Sequence, residues 1–181
     1  MKNNVMIDLE TLGLKNDAVI LSIGAVYFDE TGIDLNNTFY REINIQSCID
    51  LGLTIDGDTI SWWMQQSEEA RKVFYNKKIK THINQAIDDL ISFLKRYGNQ
   101  EDLKIWSNGY MDVSWLRSAF QKIIRDVPWS HKKEMDLKTF RDTQPKLEDH
   151  ELPKEGIKHN ALADAIWQAE YTIKIMQKKG E

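Results

Sequence analysis

The sequence predicts an α/β fold built on a mixed sheet, and three observations carry that prediction. The first quarter of the chain reads as strands joined by connections so short that they favour antiparallel pairing. Beyond it, helical and strand-like segments alternate, so the sheet cannot be a simple meander. The 181 residues are 41% hydrophobic and 29% charged, which suffices for one core over 1–181 and is too little for two comfortable domains.

The elements follow in order. In Val5–Thr11, Val5, Ile7 and Leu9 face one way while Met6, Asp8 and Glu10 face the other, because strand side chains alternate. Ala18–Phe28, "AVILSIGAVYF", is nearly all apolar and reads as a strand buried on both faces. Asp29–Gly32 supplies turn residues, and Asn37–Ile45 reads as a third strand. Thr59 and Ser67 are expected to cap two short helices, the second with acids in its first turn. His82–Tyr97 has the apolar spacing of a helix, with Gly98 just past its end. "KIWS" (Lys104–Ser107) is a fourth strand, followed by a helix with Val113, Leu116, Phe120, Ile123 and Ile124 inward. Glu134–Phe140 is expected as a fifth strand and Gln144–Lys158 as a loop. In the last helix, Ala161–Lys178, Leu162, Ala165, Ile166, Ala169, Ile173 and Met176 share a face.

Bulk properties narrow the function. The net charge of -4 argues against a protein that grips duplex DNA by charge alone. A single cysteine, Cys48, excludes an intrachain disulfide and a cysteine-based zinc site. "MKNNVMIDLE" has no apolar signal core, and no stretch approaches the roughly 20 apolar residues of a membrane span. A protein of the reducing cytoplasm, without a membrane partner, is the expectation.

Three groups of acids need more than solubility to explain them. Asp8 and Glu10 lie on one face of a strand, where like charges repel. Read alone, they could be a solvated strand face; divalent cations would relieve the repulsion and use it. Asp112 falls in the first turn of the helix after "KIWS", a position favoured by the helix dipole and also where α/β sheets place ligands. In "HNALADA", His159 and Asp164 are five residues apart, about 140° around a helix, so they would not share a helical face. With Asn160 as N-cap, His159 precedes the helix and Asp164 lies one turn inside, so both can point into one cleft. Four carboxylates and an imidazole at element ends suit two Mg²⁺ or Mn²⁺ ions, which prefer hard oxygen ligands. Such a pair, roughly 4 Å apart, can clamp an in-line displacement at phosphorus. The histidine is suited to take a proton from the attacking water.

"DLETLG", "NGYMDVSWL" and "HNALADA" together resemble, in order and spacing, the three motifs of the DEDDh, ribonuclease T-like 3′-to-5′ exonucleases. The stretch Ser61–Arg71, "SWWMQQSEEAR", is similar to the compact phage and bacterial 3′ exoribonuclease-like branch. The resemblance implies a ribonuclease H-like, five-stranded mixed β-sheet flanked by helices. It carries the metal ligands onto Asp8, Glu10, Asp112 and Asp164, and the general base onto His159. It implies hydrolysis of single-stranded RNA or DNA, or of 3′ overhangs, to nucleoside 5′-monophosphates. A homodimer is common among relatives. Thr11 and Leu12 follow Glu10 at the motif's substrate end; many relatives carry a second Thr where Leu12 stands, and Leu12 is positioned to wedge against a terminal base.

Bases of a single strand are held by stacking as well as charge. Trp106, Trp115 and Trp167 fall on packing faces, whereas the adjacent Trp62 and Trp63 cannot share a helical face, and Trp63 is assigned to the cleft. Lys132, Lys133, Lys138, Arg141 and Lys158 are balanced by neighbouring acids and read as solvated surface. The alternative to an enzyme is a catalytically silent nucleic-acid-binding module of the same fold.

Overall fold

The computed structural model describes residues 2–75, 79–96, 100–144 and 159–179. The expected helix end at Tyr97 and Gly98, and the expected loop beyond Gln144 through Lys158, lie outside the described residues.

Five strands form one mixed sheet in the order β3-β2-β1-β4-β5. They are β1 (Asn4–Thr11), β2 (Ile20–Asp29), β3 (Gly32–Glu42), β4 (Lys104–Ser107) and β5 (Glu134–Asp136). β1, β2 and β3 pair antiparallel, while β4 lies parallel to β1 and β5 parallel to β4. The short connections and the longer helical crossovers thus produce the two kinds of pairing that their lengths favour. Among the described residues there are seven α-helices: α1 (Ile45–Asp50), α2 (Gly57–Met64), α3 (Glu68–Tyr75), α4 (Ile83–Leu94), α5 (Met111–Lys122), α6 (Leu137–Asp142) and α7 (Ala161–Lys179).

The period-two pattern of β1 separates two cores. Val5, Ile7 and Leu9 join Leu21, Ile23, Ala25 and Tyr27 in a core under α4 and α5, with Leu90, Phe93, Leu116 and Phe120. Met6, Val26, Phe28 and Trp106 face the other way, onto Leu137 of α6 and Ala165, Ala169 and Ile173 of α7. Asp8 and Glu10 occupy this second face, where the apolar layer gives out.

Several local expectations change. Asp56, rather than Thr59, caps α2: its carboxylate accepts from the Thr59 N–H at 3.0 Å, leaving Thr59 inside the first turn. Ser67 does cap α3, its hydroxyl accepting from the Ala70 N–H. β3 starts at Gly32 and ends at Glu42, earlier than its expected Asn37–Ile45 span, because the hairpin turn is tight and Asn44 is already capping α1. The fifth strand stops at Asp136 instead of Phe140. Asp136 accepts from the Lys138 N–H at 2.8 Å and so starts α6, which a strand-like reading of "EMDLKTF" overlooks. Ile124 is not inward: α5 ends at Lys122, and Ile124 has φ of 54° and is 88% exposed.

One glycine sets the approach of α7. Gly24 pairs with Asp8 across β1 and β2, and a Cβ there would lie 2.2 Å from the Ala161 carbonyl carbon. The first turn of α7 therefore rests on bare backbone, next to Asp8. Gly24→Ala should cost about 3 kcal/mol or more, the upper end of overpacking effects, read as a lower midpoint of urea unfolding. A cost under about 0.5 kcal/mol, the range of ordinary surface changes, would show that α7 does not seat there.

Candidate active site

Each acid is delivered by a different local device. Asp8 and Glu10 come from β1, whose pairing with β2 shifts register between Glu10 and Thr11. Such irregularities re-aim side chains at the end of a strand. β1 pairs with β4 only from Asn4 to Met6, so the N–H of Leu9 has no strand partner on that side. Asp112, in the first turn of α5, accepts it at 3.0 Å. A buried backbone donor is satisfied, and the second motif is tied to the first. Asp164 lies in the first turn of α7, where Asn160 caps the helix by accepting from the Ala163 N–H at 3.0 Å.

Ligand oxygens of Asp8, Glu10 and Asp164 lie within 4.8 Å of one another. Glu10, Asp112 and Asp164 are buried and Asp8 is half-buried. Burial pushes the Asp8 carboxyl well above the usual carboxylate range, and the charges of Asp112, Glu10 and Asp164 push it further; a hydrogen bond from Gln168 opposes them. Burial likewise raises Asp112 to about 7, against the pull of the Leu9 N–H, its own N–H and the Lys138 charge. The ligand atoms these residues offer are all hard oxygens. It fits divalent cations of the Mg²⁺ or Mn²⁺ kind.

Gln168 is the residue that motif reading misses. Its Nε2 donates to Asp8 Oδ1 at 2.7 Å, and its buried Oε1 accepts from none of the described residues. The signal was available: Gln168 follows Asp164 by four positions, so the two share a face of α7.

His159 precedes the helix, as the Asn160 cap requires. Its φ of 61° is left-handed, a strain of about 1–3 kcal/mol for a non-glycine residue. That turn sets the imidazole edge-on against Trp62 and Trp63, with ring centroids 4.8 and 5.9 Å away. Both indoles, with Glu10, Thr11, Leu14, Lys15 and Trp115, line a groove of about 740 Å³. The imidazole thus stands against the wall of the groove that Glu10 enters.

The groove corrects two expected substrate contacts. Leu12 is 1% exposed and belongs to the core, with no free face to wedge against a base; Leu14, 76% exposed, is the leucine on the groove. Trp63 is 1% exposed, and its Nε1–H donates to the Thr11 carbonyl at 2.9 Å, fixing the end of β1. Trp62, 42% exposed, presents the accessible ring. Thr11 lines the groove through a side chain that donates to the Gly13 carbonyl at 2.9 Å. Trp106 and Trp115 are buried, as expected, while Trp167 is half-buried.

A mixed five-stranded sheet with carboxylates gathered at the end of its central strand defines a ribonuclease H-like nuclease fold. A family model described as the 3′-5′ exoribonuclease Rv2179c-like domain matches residues 3–176, and the chain belongs to that family and is a 3′-5′ exonuclease. No curated protein sequence matches it significantly. Among solved structures, it is similar to the nuclease domain of 3′hExo, a DEDDh family member bound to rAMP. That match has 18% identity and a TM-score of 0.67, covering 98% of this chain and 93% of the other. Pop2p of S. pombe, in a form with Mg²⁺ and Mn²⁺ bound, is 15% identical with a TM-score of 0.66, covering 98% and 84%. E. coli exonuclease I in complex with a dT13 oligonucleotide is 15% identical with a TM-score of 0.68; the match covers 99% of this chain and 42% of exonuclease I. No described helix is long and apolar enough to cross a membrane.

The raised carboxyls make a pH prediction for the metal-free protein. Asp112 moves from 3.8 to about 7 on folding, so the folded form binds more protons between those values. Its contribution to stability is complete below pH 3.8 and lost as pH rises through 7. Melting temperature in EDTA should fall by several degrees from pH 5 to pH 8, and Asp112→Asn should flatten the slope. A metal-free melting temperature that rises across this window would contradict the buried-acid reading.

Proposed function

We propose that the chain is a metal-dependent hydrolase that removes nucleoside 5′-monophosphates from the 3′ end of single-stranded RNA. The supporting observation is the convergence of Asp8, Glu10 and Asp164 oxygens, with Asp112 tied to the same strand, beside a groove walled by an exposed indole. RNA is favoured over DNA by the family's description as exoribonucleases.

Asp8, Glu10, Asp112 and Asp164 would hold two divalent cations, whose chemistry is to acidify a water and to stabilise charge on the phosphoryl and leaving oxygens. Gln168 orients Asp8 by donating to one of its oxygens. The terminal base stacks on Trp62, with Leu14 on the open side of the groove. His159 accepts the proton of the attacking water. The new P–O bond forms as the bond from phosphorus to O3′ of the preceding nucleotide breaks, giving a 5′-mononucleotide and a strand one residue shorter.

A 3′-labelled RNA oligonucleotide with Mg²⁺ should yield labelled mononucleotide, and Asp8→Ala should lower the rate roughly 10²-fold or more. No release from RNA or DNA, or release undiminished by Asp8→Ala, would overturn the proposal. His159→Ala should lose about 10²–10⁴-fold in turnover, the usual contribution of a general base. It should keep the rise in melting temperature caused by Mn²⁺, whereas Asp164→Ala should lose that rise. Full turnover in His159→Ala at neutral pH would remove the base assignment. Trp62→Ala should raise KM roughly ten-fold, in line with about 1–3 kcal/mol per stacked base; an unchanged KM would place the terminal base elsewhere.

A further inference from the structure

A second exposed aromatic lines a groove with Asp112 that Trp62 does not line. Tyr110 is 72% exposed and stands two residues before Asp112, at the start of α5. It occupies the cap position, yet its side chain makes no capping hydrogen bond, so the helix does not depend on it.

Two grooves meet at Tyr110. One, of about 370 Å³, is walled by Leu9, Asn108, Asp112, Trp115 and Lys138. The other, of about 380 Å³, runs between α5 and β5 past Ser114, Arg117 and Met135. The first shares the lining residues Leu9 and Trp115 with the Trp62 groove, so the two are neighbours. Charge is placed accordingly. The Lys138 side chain lies over Gly109, its Nζ 3.4 Å from where a Cβ would stand, and its charge lowers the Asp112 carboxyl. Gly109, at φ of 105°, keeps that approach clear. A cation and an aromatic face are thus paired at one edge of a carboxylate site that by itself would repel a phosphate.

We propose that Tyr110 is the stacking platform for the base on the 5′ side of the scissile phosphate, with Lys138 beside that nucleotide's backbone. This inference rests on the exonuclease reading above. The occupant is the penultimate nucleotide of a single strand. Trp62 lines the groove that Glu10 enters and Tyr110 the groove that Asp112 enters, so a separate ring is available to each of the two bases flanking the reacting phosphate.

The test compares two short 3′-labelled RNAs that differ only at the penultimate position, one with a base and one abasic. The wild-type protein should prefer the base-containing RNA roughly ten-fold in kcat/KM. Tyr110→Ala should bring that ratio close to one, and Tyr110→Phe should keep it. A structural role for Tyr110 would instead lower both substrates alike and leave the ratio unchanged, which would overturn the platform. Fluorescence anisotropy of the same RNAs in EDTA reads the preference without turnover. Turnover without the preference overturns the platform alone. Preference in binding without turnover supports the platform and overturns the exonuclease reading. Absence of both overturns both.

Discussion

Four carboxylates repel one another at the end of β1, and much of the fold is arranged to hold them there. Left to electrostatics alone, Asp8, Glu10, Asp112 and Asp164 would move apart or take up protons. They stay because each is fixed by something apolar or by backbone. β1 is clamped between two cores, Asp112 is bound to the Leu9 N–H, and α7 is seated on Gly24. The repulsion is therefore borne by the hydrophobic layers, and the frustration stays local because those layers meet behind it. A bound cation would find its ligands already gathered, with little ordering left to impose.

The chain beyond β1 is disciplined by two indoles. Trp63 donates to the Thr11 carbonyl and Trp115 to the Lys15 carbonyl at 2.7 Å, so the segment leaving the acids is pinned on both sides. This is why two tryptophans near the groove are structural while a third, Trp62, remains accessible. An indole N–H must find an acceptor when buried, and here the acceptors are carbonyls of the loop that shapes the groove.

What could be read from the sequence follows periodicity. The alternation in β1 put Asp8 and Glu10 together, and the Asn160 cap put His159 outside the helix and Asp164 inside it. The misreadings arise where periodicity ends. Leu12 lies past the register shift at Glu10, so counting along the strand no longer gives its direction, and it turns into the core while Leu14 emerges. Asp136 reads as part of an apolar-alternating strand until its carboxylate is seen capping α6. Which of Trp62 and Trp63 is inward depends on the rotation of a two-turn helix. That rotation is set by the Trp63–Thr11 hydrogen bond, a contact spanning 52 residues of sequence.

The seat of α7 on Gly24 also orders events in time. The first motif lies near the start of the chain, but Asp164, Gln168 and His159 all arrive on or beside the last helix. On the ribosome, β1–β3 can pair long before α7 has emerged, leaving Asp8 and Glu10 exposed without their later neighbours. A nascent or truncated chain would then be a sheet without a complete acid set. The acid set is therefore complete only once α7 has settled on Gly24 of β2.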